Sequence, residues 1–177
     1  QDATLLVDVN GRLVVNMNDS NAIGWKGYIR RTTKKYKTSF FMRLYGGRAD
    51  MNNFFDEDGN RLPLEDYSNL SRLISHHTDR LGCTYFIPFS SFRRLQRTDS
   101  RWLQEHIGSV DDIKSGYAST NSEMLPAFIR YDCETDTYEE INPRISDDRV
   151  IYKPEDFGDN WSDGLDVEDT KKLAAYF

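Results

Sequence analysis

Two β-rich segments open the chain, and only the dipeptide Asn10-Gly11 separates them. A type I′ turn needs positive φ at both central residues, and asparagine and glycine accept that conformation more readily than other residues. The dipeptide therefore predicts a tight β-hairpin between residues 4–9 and 12–17. Because such a turn sets the register of its strands, this feature constrains the fold more than any other.

Further strand pairs are predicted by the same reasoning. Residues 25–31 and 36–45 are rich in aromatic and β-branched side chains, and the short basic segment 32–35 joins them. The acidic turn 56–60 joins a third pair. Four later segments are also predicted to be strands: 83–89, 125–131, 137–141 and 149–152.

Helices are predicted where the apolar period changes to three or four residues. This pattern covers residues 64–78, 90–107 and the segment after Asp166, whereas residues 109–123 are rich in small polar residues and predict a loop. No alternation of strands and helices is evident. The sequence thus predicts an α+β fold, with a mainly antiparallel sheet built from hairpins, two central helices and a C-terminal helix.

Charge divides the 177-residue chain by position. Residues 1–130 carry 18 Lys and Arg against 15 Asp and Glu, whereas residues 131–177 carry 5 against 14. A chain of this length fits one domain. We expect a single α+β domain over 1–177, with a basic to neutral part, 1–130, and the acidic third, 131–177, packed on it.

The two cysteines, Cys83 and Cys133, are too few and too far apart in sequence to indicate a disulfide framework. Reduced thiols and the absence of a long apolar segment predict a cytoplasmic protein without a membrane span. The chain begins with Gln1 rather than Met, which indicates a processed or truncated N-terminus.

The predicted helix 90–107 places four arginines within about 100° of arc. They lie opposite an apolar face and are Arg93, Arg94, Arg97 and Arg101. Guanidinium groups bind phosphate oxygens in a bidentate manner, so this face is a candidate anion-binding surface. The alternative is a solvated face that pairs with the chain's own acidic segment.

Residues 26–48 contain eight basic residues and no acidic residue. Five aromatic residues lie among them, as in proteins that stack single-stranded bases while cations follow the backbone; they are Tyr28, Tyr36, Phe40, Phe41 and Tyr45. The candidate binding residues of this predicted hairpin are Arg30, Arg31, Lys34, Lys35, Tyr36, Lys37 and Arg43. In the alternative interpretation the aromatics pack across strands, and Lys34 and Lys35 protect a sheet edge.

Signals for catalysis are weak. His76, His77 and His106 have no motif around them, and a Cys83–His77 pair needs a spatial contact that spacing cannot establish. The segment 56–60 lacks the ligand spacing of a calcium loop. No metal site and no cofactor are predicted, and an active site built from the carboxylates of residues 132–140 is left open.

These patterns favour a non-enzymatic module that binds an anionic partner, most simply nucleic acid, through the basic hairpin and the arginine-faced helix. Two alternatives remain. One is a metal-dependent, nuclease-like enzyme that acts on a phosphate-bearing substrate through carboxylates of residues 132–169. The other is a protein-interaction or inhibitor domain that acts through its acidic C-terminal surface.

Overall fold

The computed structural model describes most of the chain and organises it into two compact units. The first lies within residues 1–93 and 105–145, and the second within residues 94–104 and 146–177. The prediction of one domain is not tested by this division and stays a prediction. The described residues are 3–20, 23–46, 54–63, 67–90, 92–141, 143, 150–158 and 164–176.

A five-stranded sheet in the order β1-β2-β3-β4-β5 forms the centre of the first unit. Its strands are β1 (Leu5–Val9), β2 (Arg12–Asn18), β3 (Thr38–Leu44), β4 (Tyr85–Phe89) and β5 (Glu123–Met124). β1 is antiparallel to β2, and the three other pairings are parallel. Strands β6 (Ile129–Asp132) and β7 (Thr137–Glu140) form a separate antiparallel hairpin.

Helices connect the parallel strands one after another. They are α1 (Lys26–Thr33) between β2 and β3, α2 (Tyr67–Leu81) between β3 and β4, and α3 (Val110–Gly116) between β4 and β5. Parallel neighbours require such crossover connections, because a tight turn can join only antiparallel strands. The described part of the chain also contains a fourth α-helix, α4 (Val167–Ala174).

One apolar core holds these three helices on the same face of the sheet. It unites Ile29 of α1, Ile74 of α2 and Ile113 of α3 with buried residues of the strands, including Phe41 and Phe86. The opposite face of the sheet carries a smaller cluster, against which part of the β6–β7 hairpin packs. The first unit is therefore layered, with helices on one side of the sheet and a hairpin on the other.

The first predicted hairpin is confirmed. β1 and β2 pair antiparallel across Asn10 and Gly11, whose φ angles are 49° and 75°. The structure confirms the α+β class, but a mainly antiparallel sheet is wrong because three of the four pairings in the five-stranded sheet are parallel. Turn signals reveal hairpins, whereas parallel pairing depends on strands that lie far apart in sequence.

The predicted hairpin over residues 25–45 is also wrong. Its first strand is the helix α1, in which only Ile29 and Thr33 are buried. These two residues lie four apart and therefore on one side of the helix. Packing of that side on the core outweighs the strand propensity of the β-branched and aromatic residues nearby.

The predicted helix 90–107 does not form. Tyr152 pairs with Arg97 through a parallel β-bridge, and the backbone N–H of Thr98 donates to the carbonyl oxygen of Tyr152 at 2.9 Å. A short 3₁₀ helix follows at Arg101–His106. Residues 98–100 are Thr, Asp and Ser, which compete with helical hydrogen bonds. Ser90 and Ser91 are of the residue type that caps a helix N-terminus and stand where the predicted helix would begin, but Ser91 lies outside the described residues.

The predicted loop at residues 109–123 contains α3. Ser109 caps this helix, and its hydroxyl accepts from the backbone N–H of Asp112 at 3.1 Å while the Asp112 carboxylate accepts from the N–H of Ser109 at 2.7 Å. This reciprocal capping box favours a helix although small polar residues surround it. Strand β5 then begins within the same segment, at Glu123.

Most other predicted elements are confirmed. Residues 64–66 lie outside the described part, and α2 begins at the first described residue after them, Tyr67. The helix runs past its predicted end to Leu81. The turn after Phe55 closes onto Arg61, and β4 and β7 lie within their predicted segments. β6 begins within its predicted segment, 125–131, and ends one residue beyond it, at Asp132. The predicted strand 149–152 is reduced to the bridge at Tyr152, with residue 149 outside the described range.

The second unit contains that bridge, a 3₁₀ turn at Pro154–Phe157 and α4. Asp166 caps α4 as predicted, accepting from the backbone N–H groups of Glu168 and Asp169 at 2.8 and 2.7 Å. No helix in the described ranges is both long enough and apolar enough to cross a bilayer.

Candidate nucleic-acid interface

Helix α1 and the residues just after it carry a group of cations. Five cations lie on this helix or at its C-terminal end: Lys26, Arg30, Arg31, Lys34 and Lys35. Together with Trp25 and Tyr28 we call them the α1 surface. Lys26 is half-buried, and the four others are exposed. Residues 23–46 contain no Asp or Glu, and none of the five forms an ion pair with another described residue.

Two aromatic rings lie beside these cations. Trp25 is 65% exposed and Tyr28 is 50% exposed, although both are large and apolar. Their rings meet edge to face, with 6.2 Å between the centroids. Exposed rings next to cations are the combination by which proteins stack bases and hold the phosphate backbone of single strands.

Arg43, another of the predicted binding residues, belongs to the sheet and not to α1. It lies on β3 two residues after the buried Phe41 and therefore on the same side of the strand, where the helices pack. Its Nη1 donates a hydrogen bond to Nδ1 of His77 on α2. The contact requires Nδ1 to accept, so His77 is neutral there.

The surroundings of His77 explain this neutral state. Burial and the nearby charges of Arg43, Lys26, His76 and Arg80 lower the pKa of His77 from 6.5 to about 4. Burial also lowers the pKa of Arg43. The first unit therefore has a half-buried cationic centre, which we call the Arg43–His77 centre, and the charge of Lys26 in the first turn of α1 acts on its histidine.

Two predicted binding residues form polar contacts within the first unit. The hydroxyl of Tyr36 donates to Oδ2 of Asp8 at 3.0 Å, and Nζ of Lys37 lies 3.1 Å from Oδ2 of Asp136. Three aromatics expected to stack on bases, Phe40, Phe41 and Tyr45, are buried. Tyr28 is thus the exposed aromatic of that predicted set.

The four predicted arginines of residues 90–107 do not form one helix face. Arg93 belongs to the first unit, whereas Arg94, Arg97 and Arg101 belong to the second. Arg97 binds the carboxylate of Asp99, with Nη2 to Oδ2 at 2.8 Å, and its guanidinium lies 5.9 Å from the ring centroid of Phe157. Arg94 and Arg101 are exposed.

The cysteine and histidine candidates do not come together as a catalytic pair. Burial raises the pKa of the Cys83 thiol to about 12, which removes the thiolate that nucleophilic chemistry needs. His77 contacts Arg43 instead. His106 is buried and packs edge to face with Phe54, with 4.9 Å between the ring centroids.

The carboxylates of residues 132–140 point to separate partners. Asp132 accepts from the backbone N–H of Glu134 at 2.7 Å, and Glu139 accepts from Nη1 of Arg130 at 2.7 Å. Asp136 binds Arg12 and Lys37. Within the described ranges, no group of three or more His, Cys, Asp or Glu residues is placed to hold a metal ion.

Sequence reasoning missed Trp25 and Lys26 as binding candidates and did not foresee the contact between Arg43 and His77. One signal was present in β3, where alternation from the apolar Phe41 puts Arg43 on the buried side of a strand. A cation at such a position indicates either an internal partner or a bound anion.

Comparisons of this chain with protein-family models, with curated proteins and with solved structures find no match.

Proposed function

We propose that this protein binds nucleic acid through the α1 surface. The observation that carries the proposal is five cations on and just after one helix, without carboxylate partners among the described residues, beside two exposed aromatic rings. Phosphates replace the missing counter-charges, and Trp25 and Tyr28 provide faces for unstacked bases. A single strand suits this surface better than a duplex, whose bases are not free to stack on side chains.

The chain as a whole is acidic, with a net charge of −6. Binding through the α1 surface is therefore a local electrostatic effect. At physiological salt the Debye length is about 8 Å, so contacts within α1 act on a phosphate more strongly than charges on distant parts of the molecule. The acidic residues outside this surface disfavour adsorption of a polyanion elsewhere on the protein.

The test measures binding of a fluorescent single-stranded oligonucleotide at several salt concentrations. The variant carries Arg30→Gln and Arg31→Gln, and the matched control carries Lys171→Gln and Lys172→Gln on exposed α4, which remove the same charge. We expect the first variant to bind more weakly and to lose about 1 to 2 units of log–log salt slope, while the control does not. Absence of salt-dependent binding, or equal loss in both variants, contradicts the proposal.

A further inference from the structure

We propose that Lys26, Arg43 and His77 together hold one phosphoryl group of the bound nucleic acid, with His77 in its protonated form. The inference rests on the proposed function for the identity of the macromolecule. It adds a defined subsite at the Arg43–His77 centre and a dependence of binding on pH.

The first step of the argument is placement. Three elements contribute one group each: α1 contributes Lys26, β3 contributes Arg43 and α2 contributes His77. All three side chains are half-buried, so solvent reaches them while the protein restricts their positions. A single phosphoryl group has several oxygens and can accept hydrogen bonds from three donors at once.

The second step is charge. The charged and titratable groups that act on His77 are Arg43 from β3, Lys26 from α1, and His76 and Arg80 from α2 itself. Every one of them disfavours a proton on His77. No carboxylate among the described residues forms an ion pair with Lys26, Arg43 or Arg80. The centre therefore collects positive charge that the described residues do not neutralise.

The third step is the proton. In the free protein Nδ1 of His77 accepts from Arg43. When a phosphate binds between them, its negative charge outweighs the repulsion by the cations, and His77 takes up one proton from solvent. Nδ1 then changes from acceptor to donor, so that both His77 and Arg43 donate to phosphate oxygens.

Linkage makes this step measurable. If phosphate raises the pKa of His77, protonation of His77 must strengthen phosphate binding by the same factor. Affinity then rises as the pH falls from the pKa in the complex toward the value of about 4 in the free protein. The limit is about tenfold in affinity for each pH unit in that interval, because one proton is taken up per phosphate.

The experiment follows the imidazole signals by NMR during pH titration. The protein has three histidines, so His77 is assigned with one His77→Gln variant, and His76 provides an internal control next to it. Titrations are run without ligand, with inorganic phosphate, and with each of two oligonucleotides of the same sequence, one with a 5′-phosphate and one with a 5′-hydroxyl group. We expect phosphate or an oligonucleotide to raise the pKa of His77 by at least one unit, with a smaller change at His76.

The two oligonucleotides identify the source of the phosphoryl group. An equal response to both indicates a backbone diester, and a response only to the 5′-phosphorylated strand indicates a terminal monoester. In binding assays, Arg43→Gln should weaken the affinity for the oligonucleotide at least tenfold at pH 5.5. His77→Gln should remove the pH dependence of oligonucleotide binding and preserve the salt dependence of that binding. The matched control Arg72→Gln, an exposed position on α2, should retain both the affinity and the pH dependence.

The outcomes separate the two proposals. If oligonucleotides bind with salt dependence but no ligand changes the titration of His77, the subsite is overturned and the proposed function stands. If no oligonucleotide binds while inorganic phosphate raises the pKa of His77, the proposed function is overturned and the subsite is supported as a site for a small phosphate. If His77 responds to nothing and nothing binds, both are overturned.

Discussion

Arg12 and Asp136 lie 124 positions apart in the chain, yet Oδ1 of Asp136 accepts from both Nε and Nη2 of Arg12, at 2.9 and 2.8 Å. Lys37 and the hydroxyl of Tyr131 contact the same carboxylate. These contacts attach the β6–β7 hairpin to the start of β2 and to the residue before β3. One turn carboxylate therefore connects parts of the first unit that sequence alone does not relate.

We expect the substitution Asp136→Asn to lower stability in a pH-dependent way. Hydrogen bonds from Arg12 and Lys37 lower the pKa of Asp136 from 3.8 to about 2. Because the pKa is lower in the folded state, the contribution of Asp136 is present above pH 4 and is lost as the pH falls toward 2. Urea unfolding at pH 7 should show a lower midpoint for the variant, and the difference should shrink at pH 3. A constant difference at both pH values contradicts this account.

The two exposed aromatics of the α1 surface should contribute to single-strand binding and not to folding. We expect Trp25→Ala with Tyr28→Ala to weaken binding of a single-stranded oligonucleotide by about 1–3 kcal/mol for each base that loses its stacking partner. Anisotropy titrations measure this loss, and a duplex of the same sequence should be affected less. Tyr138→Ala on β7 is the control, because Tyr138 is 42% exposed and lies outside the α1 surface. Equal losses in the variant and the control exclude specific stacking.

Two helical glycines should respond oppositely to alanine. A Cβ on Gly116, at the end of α3, would lie 2.8 Å from Cβ of Ser71 on α2, so the helices must shift. We expect Gly116→Ala to cost about 1–3 kcal/mol, as overpacking usually does. A Cβ on Gly27 of α1 meets only Nη1 of Arg31, at 3.6 Å, so Gly27→Ala should stabilise the protein by about 0.5–1 kcal/mol. Thermal and urea unfolding of both variants check the two signs, and a stabilising Gly116→Ala would contradict the close packing of α2 and α3.

The two cysteines should differ in reactivity. Neither forms a disulfide, but Cys83 is buried with a pKa of about 12, whereas Cys133 is half-buried in the β6–β7 turn. We expect iodoacetamide at pH 8 to alkylate Cys133 in the native protein and to leave Cys83 unmodified until denaturant is added. Mass spectrometry of peptides identifies the modified residue. Alkylation of Cys83 at the rate of Cys133 would contradict the burial of Cys83 just before β4.

Local signals predicted much of the secondary structure. Asn10-Gly11 specified the first hairpin, Asp166 specified the start of α4, and the apolar period specified most of α2. Each depends on residues a few positions apart. The sequence did not predict helix α1 because its composition is typical of a strand. Packing of Ile29 on the core favours the helix instead, and no local pattern reveals that packing.

The candidate site shows the same division. The sequence by itself determined that residues 26–48 concentrate positive charge, and composition was sufficient for that inference. Only the tertiary structure decided that these cations lie on a helix, that Lys37 pairs with Asp136, and that Arg43 meets His77. The physical reason is that parallel strands and the helices between them bring together residues whose spacing in the chain carries no periodic signal. The residue type determines the charge of a side chain, whereas the tertiary structure determines which opposite charge lies beside it.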